Sequence, residues 1–193
     1  MSAAMSVSEI DADQETTGSR DPTDAAAWFD DALPRLFGYF ISRVGGRVAV
    51  AEDLTQETML AAVRSETGPD DADAILPWLF GIARHKLMDH YRRLDRERRH
   101  FGPPSDPEDI LASAPALPDL DLDALHVRDA IIATLDKLPP RQRGALVLRY
   151  IDGCDVPATA ALLDTTIHAA ESLLARARVS FRDHYHALTG EDA

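Results

Sequence analysis

The side chains best placed to recognise another molecule lie in a run from Leu138 to His184 with the grammar of a helix-turn-helix. Leu138-Pro139-Pro140-Arg141-Gln142-Arg143 opens a helix, Ala145, Leu146, Leu148 and Ile151 come after it at helical spacing, and Asp152-Gly153 closes it. Residues 156–163 make a second short helix, which turns through Asp164-Thr165 into a third over 167–184. In this arrangement the last helix can lie in a major groove, where its chemistry is hydrogen bonding to base edges and ion pairing with phosphates. Periodicity along it points Ile167, Ala170, Leu174, Ala177 and Phe181 inward. His168, Glu171, Ser172, Ala175 and Arg176 then face outward, with Arg178 and Arg182 available for phosphate. Arg141 and Arg143, at the start of the first helix, can clamp phosphates as well.

Bond-making chemistry has no comparable footing. The histidines are His85, His90, His100, His126, His168, His184 and His186, and none falls in an H-E-x-x-H pattern. His184 and His186 diverge on a helix. Neither an enzyme nor a cofactor or metal site is expected. The single cysteine, Cys154, excludes an internal disulfide and fits a reducing cytoplasm. The first 23 residues are acidic rather than basic-then-apolar, and no apolar run approaches the ~20 residues that span a bilayer. No signal peptide and no membrane insertion are expected.

These elements need a scaffold, and the remaining sequence supplies one. With 193 residues and 45% hydrophobic side chains, the chain can bury the core of one domain or of two small ones. Residues 1–24 read as a disordered acidic tail. A helix is expected over about 25–41, with Trp28, Leu36, Tyr39 and Phe40 at core spacing; Pro34 makes it one kinked helix or two, and Gly45-Gly46 ends it. A second helix covers 48–64, with Val50, Leu54 and Ala61 on its apolar stripe and Asp53, Gln56, Glu57 and Arg64 off it. Residues 65–75 form a loop. The most strongly patterned helix is expected from Pro77, which suits a first helical position, to about Arg99. Leu79, Ile82, Ala83, Leu87, Tyr91 and Leu94 make its apolar face; His85, Lys86, Asp89, His90, Arg92, Arg93 and Arg96 occupy the remainder. Residues 102–123 hold five prolines and six acids. Those 22 residues can stretch to about 70–75 Å. Strand signals are weak, so the fold is expected to be all-α. It comprises two small helical domains, 25–101 and 125–188, joined by an acidic Pro-rich linker over 102–124, with a short tail at 189–193.

The net charge of −13 looks wrong for a surface that must neutralise phosphates, but the sign is segregated. Residues 1–31 carry −7 and 101–126 carry −6, whereas 78–100 carry +4. Residues 32–77 and 127–193 come to −3 and −1. The acidic segments repel a DNA backbone over roughly a Debye length, ~10 Å. Weak binding to free DNA is the consequence, together with a need for a partner that holds the chain on it.

Three motifs in order resemble the extracytoplasmic-function group of bacterial sigma-70-family sigma factors, over about residues 25–186. Ala51-Glu52-Asp53-Leu54-Thr55-Gln56-Glu57-Thr58 is similar to that family's polymerase-clamp segment. The stretch Pro77-Trp78-Leu79-Phe80-Gly81-Ile82-Ala83-Arg84-His85-Lys86-Leu87-Met88-Asp89-His90-Tyr91-Arg92-Arg93 is similar to its minus-ten-reading and melting helix. Leu138 through Arg178 is similar to its minus-thirty-five-reading domain.

The resemblance implies a promoter-specificity subunit without catalytic activity of its own. Its partners would be core RNA polymerase, through the beta-prime clamp and the beta flap, promoter DNA, and a cognate anti-sigma factor. Asp53, Gln56 and Glu57 would bind polymerase; they are acceptor-rich and suit a basic protein surface. Arg84, Lys86, Arg92 and Arg93 would hold the melted strand, with Trp78, His85, Asp89 and His90 beside them and the flat faces of Trp78, His85 and His90 supporting bases. The loop at 65–73 would capture a flipped base. Arg141, Arg143, Thr166, His168, Glu171, Ser172, Ala175, Arg176 and Arg178 would serve the minus-thirty-five element. Two residues depart from the family's pattern. Asp164 replaces a turn glycine but tolerates the left-handed conformation. Glu171 replaces a common lysine or arginine; it cannot pair with phosphate, and either accepts from a cytosine amino group or is solvated. With the chain ending at Ala193, control is expected from a separate protein or from expression. A two-domain helix-turn-helix repressor or response regulator with an N-terminal sensor is the competing reading, and it requires tight DNA binding by the isolated chain.

Overall fold

A computed structural model describes residues 22–65, 67–69, 71–101 and 122–190. Residues 1–21 of the expected acidic tail, most of the expected linker and the side chain of Trp28 lie outside the described residues, while residues 22–24 of that tail are helical. The order is α1 (Pro22–Ile41), α2 (Val48–Arg64), α3 (Ala72–Phe101), α4 (Leu122–Lys137), α5 (Pro140–Leu146), a π-turn (Val147–Ile151), α6 (Val156–Leu162) and α7 (Ile167–Thr189). Among the described residues there is no strand, and the fold is all-α.

Helices α1, α2 and α3 pack on one another, and α7 packs on α4, α5 and α6. Leu36 and Phe40 from α1, Leu54 from α2, and Leu79, Ala83, Leu87 and Tyr91 from α3 are buried at the centre of the first group. The apolar stripe of α2 is rotated from the expected one: Ala51, Leu54, Thr55, Thr58, Met59 and Ala62 are buried, whereas Val50 and Ala61 are half-buried. Two threonines can sit inside because Thr55 Oγ1 donates to the Ala51 carbonyl and Thr58 Oγ1 to the Leu54 carbonyl, each at 2.7 Å.

Three sequence expectations are corrected. α3 starts five residues before Pro77, because Asp71 caps it: Asp71 Oδ1 accepts from the Asp73 N–H and its carbonyl from the Ala74 N–H, both at 3.1 Å. Pro77 therefore lies inside the helix, one turn or so from the end, where few carbonyls are affected. α4 begins at Leu122, within the span expected to be linker. Ile167 is 51% exposed rather than inward, since it is the first residue of α7 and lies beyond the packing of α4 and α5.

The helix-turn-helix forms as the punctuation demands. Pro140 sits in the first turn of α5. Asp155 caps α6 by accepting from the Ala158 N–H at 2.7 Å, and Thr166 caps α7 by accepting from the Ala169 N–H at 3.2 Å. Between them Asp164 adopts φ +51°, the left-handed turn for which its short polar side chain is suited. Gly190 ends α7 at φ +71°.

The two groups meet, and the meeting is close. α3 lies against α5, where a Cβ on Gly144 would fall 3.1 Å from the Tyr91 ring and 3.4 Å from the Met88 sulfur. Gly45, at φ +71°, lies where a Cβ would fall 2.5 Å from Asp136 Oδ1 of α4. A Gly45→Ala change is expected to cost about 1–2 kcal/mol in urea denaturation, combining the left-handed strain with a displaced carboxylate. Gly38→Ala, where a Cβ meets nothing within 4 Å on α1, is expected to be neutral or to stabilise by up to ~1 kcal/mol.

Candidate nucleic-acid interface

The α7 face is the most open of the predicted sites. Burying Ala170, Leu174 and Ala177 leaves His168, Glu171, Ser172, Ala175, Arg176 and Arg178 exposed along the opposite side, with Thr166 at the cap. His168 Nδ1 and Glu171 Oε2 lie 4.0 Å apart at the helix start. Arg178 reaches the hydroxyl of the exposed Tyr150 at 3.4 Å, and the Arg176 Nε donates to the Ser172 carbonyl of its own helix. A cationic end and a polar start thus share one exposed stripe of a 23-residue helix.

Arg141 and Arg143 are placed differently from the sequence expectation. Arg141 donates to the Leu163 carbonyl at 3.2 Å, closing the end of α6. Arg143 is only 4% exposed: it pairs with Asp136 Oδ1 at 2.9 Å, donates to the Asp136 carbonyl at 2.6 Å, and its guanidinium faces the Tyr91 ring at 5.8 Å. In this conformation Arg143 offers nothing to a phosphate.

On α3, His85, Asp89, Arg93 and Arg96 are exposed, and Lys86 and Arg92 are half-exposed. A cleft of about 230 Å³ opens beside them, lined by Leu54 and Glu57 of α2 and by Lys86, Asp89, His90, Arg92, Arg93 and Arg96 of α3. Lys86 Nζ lies 3.4 Å from Glu57 Oε2, Arg92 pairs with Asp89, and Arg92 also donates to the Leu162 carbonyl at 2.9 Å. Arg84 Nε reaches Asp152 Oδ2 at 3.4 Å. Trp78 is half-buried against the core rather than offering a free face.

His90 is the clearest departure. It is 6% exposed and lies beside Tyr91, ring centroids 5.9 Å apart, so no base can stack on it here. Arg93 Nη2 sits 3.2 Å from Nδ1, and a guanidinium can only donate, so Nδ1 accepts and Nε2 carries the proton, buried without a partner. Burial first, then the charges of Arg93, Arg143 and Arg47, push its pKa down to about 4.

The exposed face of α2 carries Asp53, Gln56 and Glu57, as the periodicity requires, and continues into Leu60 and Val63, 52% and 64% exposed. Sequence reasoning did not single out these two. The signal was present in their three- and four-residue steps from Asp53, which turn the acidic face into an acidic and apolar stripe. Cys154 is half-buried at the turn before α6, and burial raises its pKa. No helix among the described residues is long and apolar enough to cross a membrane.

Comparison with known proteins places both helical groups. Residues 29–97 match the family described as sigma-70 region 2, and residues 128–180 match sigma-70, region 4. The chain is 37% identical over 109 residues to the ECF RNA polymerase sigma factor SigF of Caulobacter vibrioides, a match spanning 56% of each chain. It is 30% identical over 169 residues to the RNA polymerase sigma factor NccH of Alcaligenes xylosoxydans xylosoxydans, covering 77% of this chain and 90% of that one. Among solved structures it is similar to the sigma factor RpoE in complex with the anti-sigma factor NepR from Bartonella quintana. That similarity has a TM-score of 0.51 and 26% identity, and covers 84% of this chain and 96% of that chain.

The burial of His90 sets a pH dependence. Between pH 6.5 and about 4 the unfolded chain binds a proton that the folded chain excludes, so stability falls as pH drops through that window. From pH 7 to pH 5 the wild type is expected to lose about 2 kcal/mol more than a His90→Gln variant, read by urea denaturation at each pH.

Proposed function

Because this chain belongs to the extracytoplasmic-function group of the sigma-70 family of RNA polymerase sigma factors, we propose that it directs core polymerase to a specific promoter set and helps to melt it. It does so as a DNA-binding initiation factor in the cytoplasm, with no reaction of its own. The observation that carries this reading is the exposed stripe of α7: a capped N-terminus, polar side chains in its first two turns and arginines after them, on the third helix of a helix-turn-helix.

The roles divide by region. Residues 25–101 form one working unit, in which Asp53, Gln56 and Glu57, extended by Leu60 and Val63, dock on the beta-prime clamp. An acidic stripe with apolar ends repels phosphate and suits a basic protein surface. Arg84, Lys86, Arg92 and Arg93 hold the melted strand, with His85 and Asp89 exposed beside them; Trp78 and His90 serve there by packing the helix. Residues 125–188 form the second unit, which sits on the beta flap and reads the minus-thirty-five element through Thr166, His168, Glu171, Ser172, Ala175, Arg176 and Arg178. Arg141 and Arg143 support that reading by fixing α5 and α6. The similarity to RpoE, which is in complex with the anti-sigma factor NepR, supports a cognate anti-sigma factor as a further partner.

Run-off transcription by core polymerase from the DNA upstream of the protein's own gene, with and without this protein, tests this beside a gel shift of the protein alone. Core-dependent initiation with weak binding by the free protein is expected. Tight binding without initiation would instead establish a repressor. Arg176→Ala is expected to lower initiation about tenfold and to flatten the salt dependence of promoter binding by about one phosphate contact. Asp53→Arg is expected to weaken core binding while leaving the α7 stripe intact.

A further inference from the structure

Several groups needed elsewhere are committed to the contact between the two helical units. Asp152, at the end of the π-turn, has a side chain only 2% exposed. From α1 and the turn after it, Tyr39 Oη donates to its Oδ2 at 2.9 Å and Arg43 Nη2 pairs with its Oδ1 at 2.8 Å; from α3, Arg84 Nε approaches Oδ2 at 3.4 Å. The same contact holds Arg92 of α3 to the Leu162 carbonyl of α6, and pairs Arg47 with Asp136 of α4 at 2.9 Å. Arg84 and Arg92 are two of the cations assigned to the melted strand, and each spends donors here.

This conformation cannot serve a promoter. Elements centred ten and thirty-five base pairs upstream lie about 85 Å apart along B-DNA at 3.4 Å per base pair. The two units touch at hydrogen-bonding distance. The chain between them, 20 residues from Phe101 to Leu122, is long enough to let them part by some tens of ångströms. We propose that Asp152 is a latch, and that the free protein rests in this closed form with α3 occupied until the units separate. The inference rests on the sigma-factor reading for its consequence, though not for the latch itself.

The chemistry explains why such a latch is reversible yet selective. A carboxylate taken out of water recovers the lost hydration only from its two guanidiniums and the phenol, so the intact pair is worth little net and the units can separate. Removing one partner is different, because the closed form then buries a charge with fewer partners while the open form, with each group in water, is unaffected. Any loss on either side therefore opens the molecule. The apparent DNA affinity then rises by the inverse of the open fraction.

The test compares the free full-length wild type with Asp152→Asn, on one side of the contact, and Arg43→Gln, on the other and outside both DNA-binding sets. Small-angle scattering reads compaction, circular dichroism reads helicity, and a duplex from the DNA upstream of the protein's own gene reads affinity. With helicity unchanged, both variants are expected to have a larger radius of gyration than the wild type and to bind the duplex about tenfold more tightly. Folded variants with the wild-type radius and affinity would overturn the latch, as would a wild type already extended. If Asp152→Asn loses helicity, Arg43→Gln alone decides, because it leaves the helix-turn-helix unit untouched. Scattering is blind to promoter function. A chain that opens on Arg43→Gln yet never initiates with core polymerase would sink the sigma-factor reading and leave the latch standing.

Discussion

A carboxylate with 2% of its side chain exposed must be met by donors from every side, and Asp152 is met by Arg43, Arg84 and Tyr39. None of these donors comes from its own unit, so this one carboxylate ties α1 and α3 to the helix-turn-helix, beside the Arg47–Asp136 pair and the Arg92 bond to the Leu162 carbonyl. The π-turn makes this possible. One extra residue per turn rotates the succeeding backbone by about 100°, and the turn ends with the Asp152 N–H donating to the Val147 carbonyl at 2.9 Å. Burial beside that carboxylate raises the Tyr39 pKa far above its ordinary range, so its hydroxyl keeps the proton it donates to Asp152.

Helix α3 consequently works on two sides at once. Its apolar stripe builds the first unit through Leu79, Ala83, Leu87 and Tyr91. A second side, carrying Arg84, Met88 and Arg92, meets α5, α6 and the π-turn. Tyr91 belongs to both, since its hydroxyl donates to the Arg43 carbonyl at 2.5 Å while its ring faces Arg143. Burial pushes that hydroxyl's pKa up to about 12, so the bond persists through the physiological range. Gly144 permits the approach, because any side chain there meets the Tyr91 ring.

Periodicity within single helices was legible in the sequence, and so were the breaks between them. The inward and outward sets of α7 emerge from spacing alone, apart from Ile167 at its first position. Asp164 was readable as a left-handed turn from its side chain. The start of α3 was not, since Asp71 lies in an acidic loop whose capping geometry depends on backbone angles rather than composition. His90, Met88 and Arg143 were beyond reach for a different reason. Each sits on the polar or unassigned side of its own helix and is buried by neighbours from other helices, which no one-helix pattern encodes. The partners of the exposed side chains were legible through resemblance to a family more than through physics: charge segregation alone indicated a helper on DNA without saying what it was.

The contact through Asp152 bears on how freely such chains can be recombined. A chimera joining the helix-turn-helix unit of this protein to the first unit of a relative inherits a carboxylate whose cations were left behind. If the new first unit lacks counterparts of Tyr39, Arg43 and Arg84, the closed form buries a bare charge, at a cost of about 3–5 kcal/mol. The units are thus separable as folds but matched as a pair, and exchange between lineages has to carry both halves of one ion cluster to keep the same resting shape.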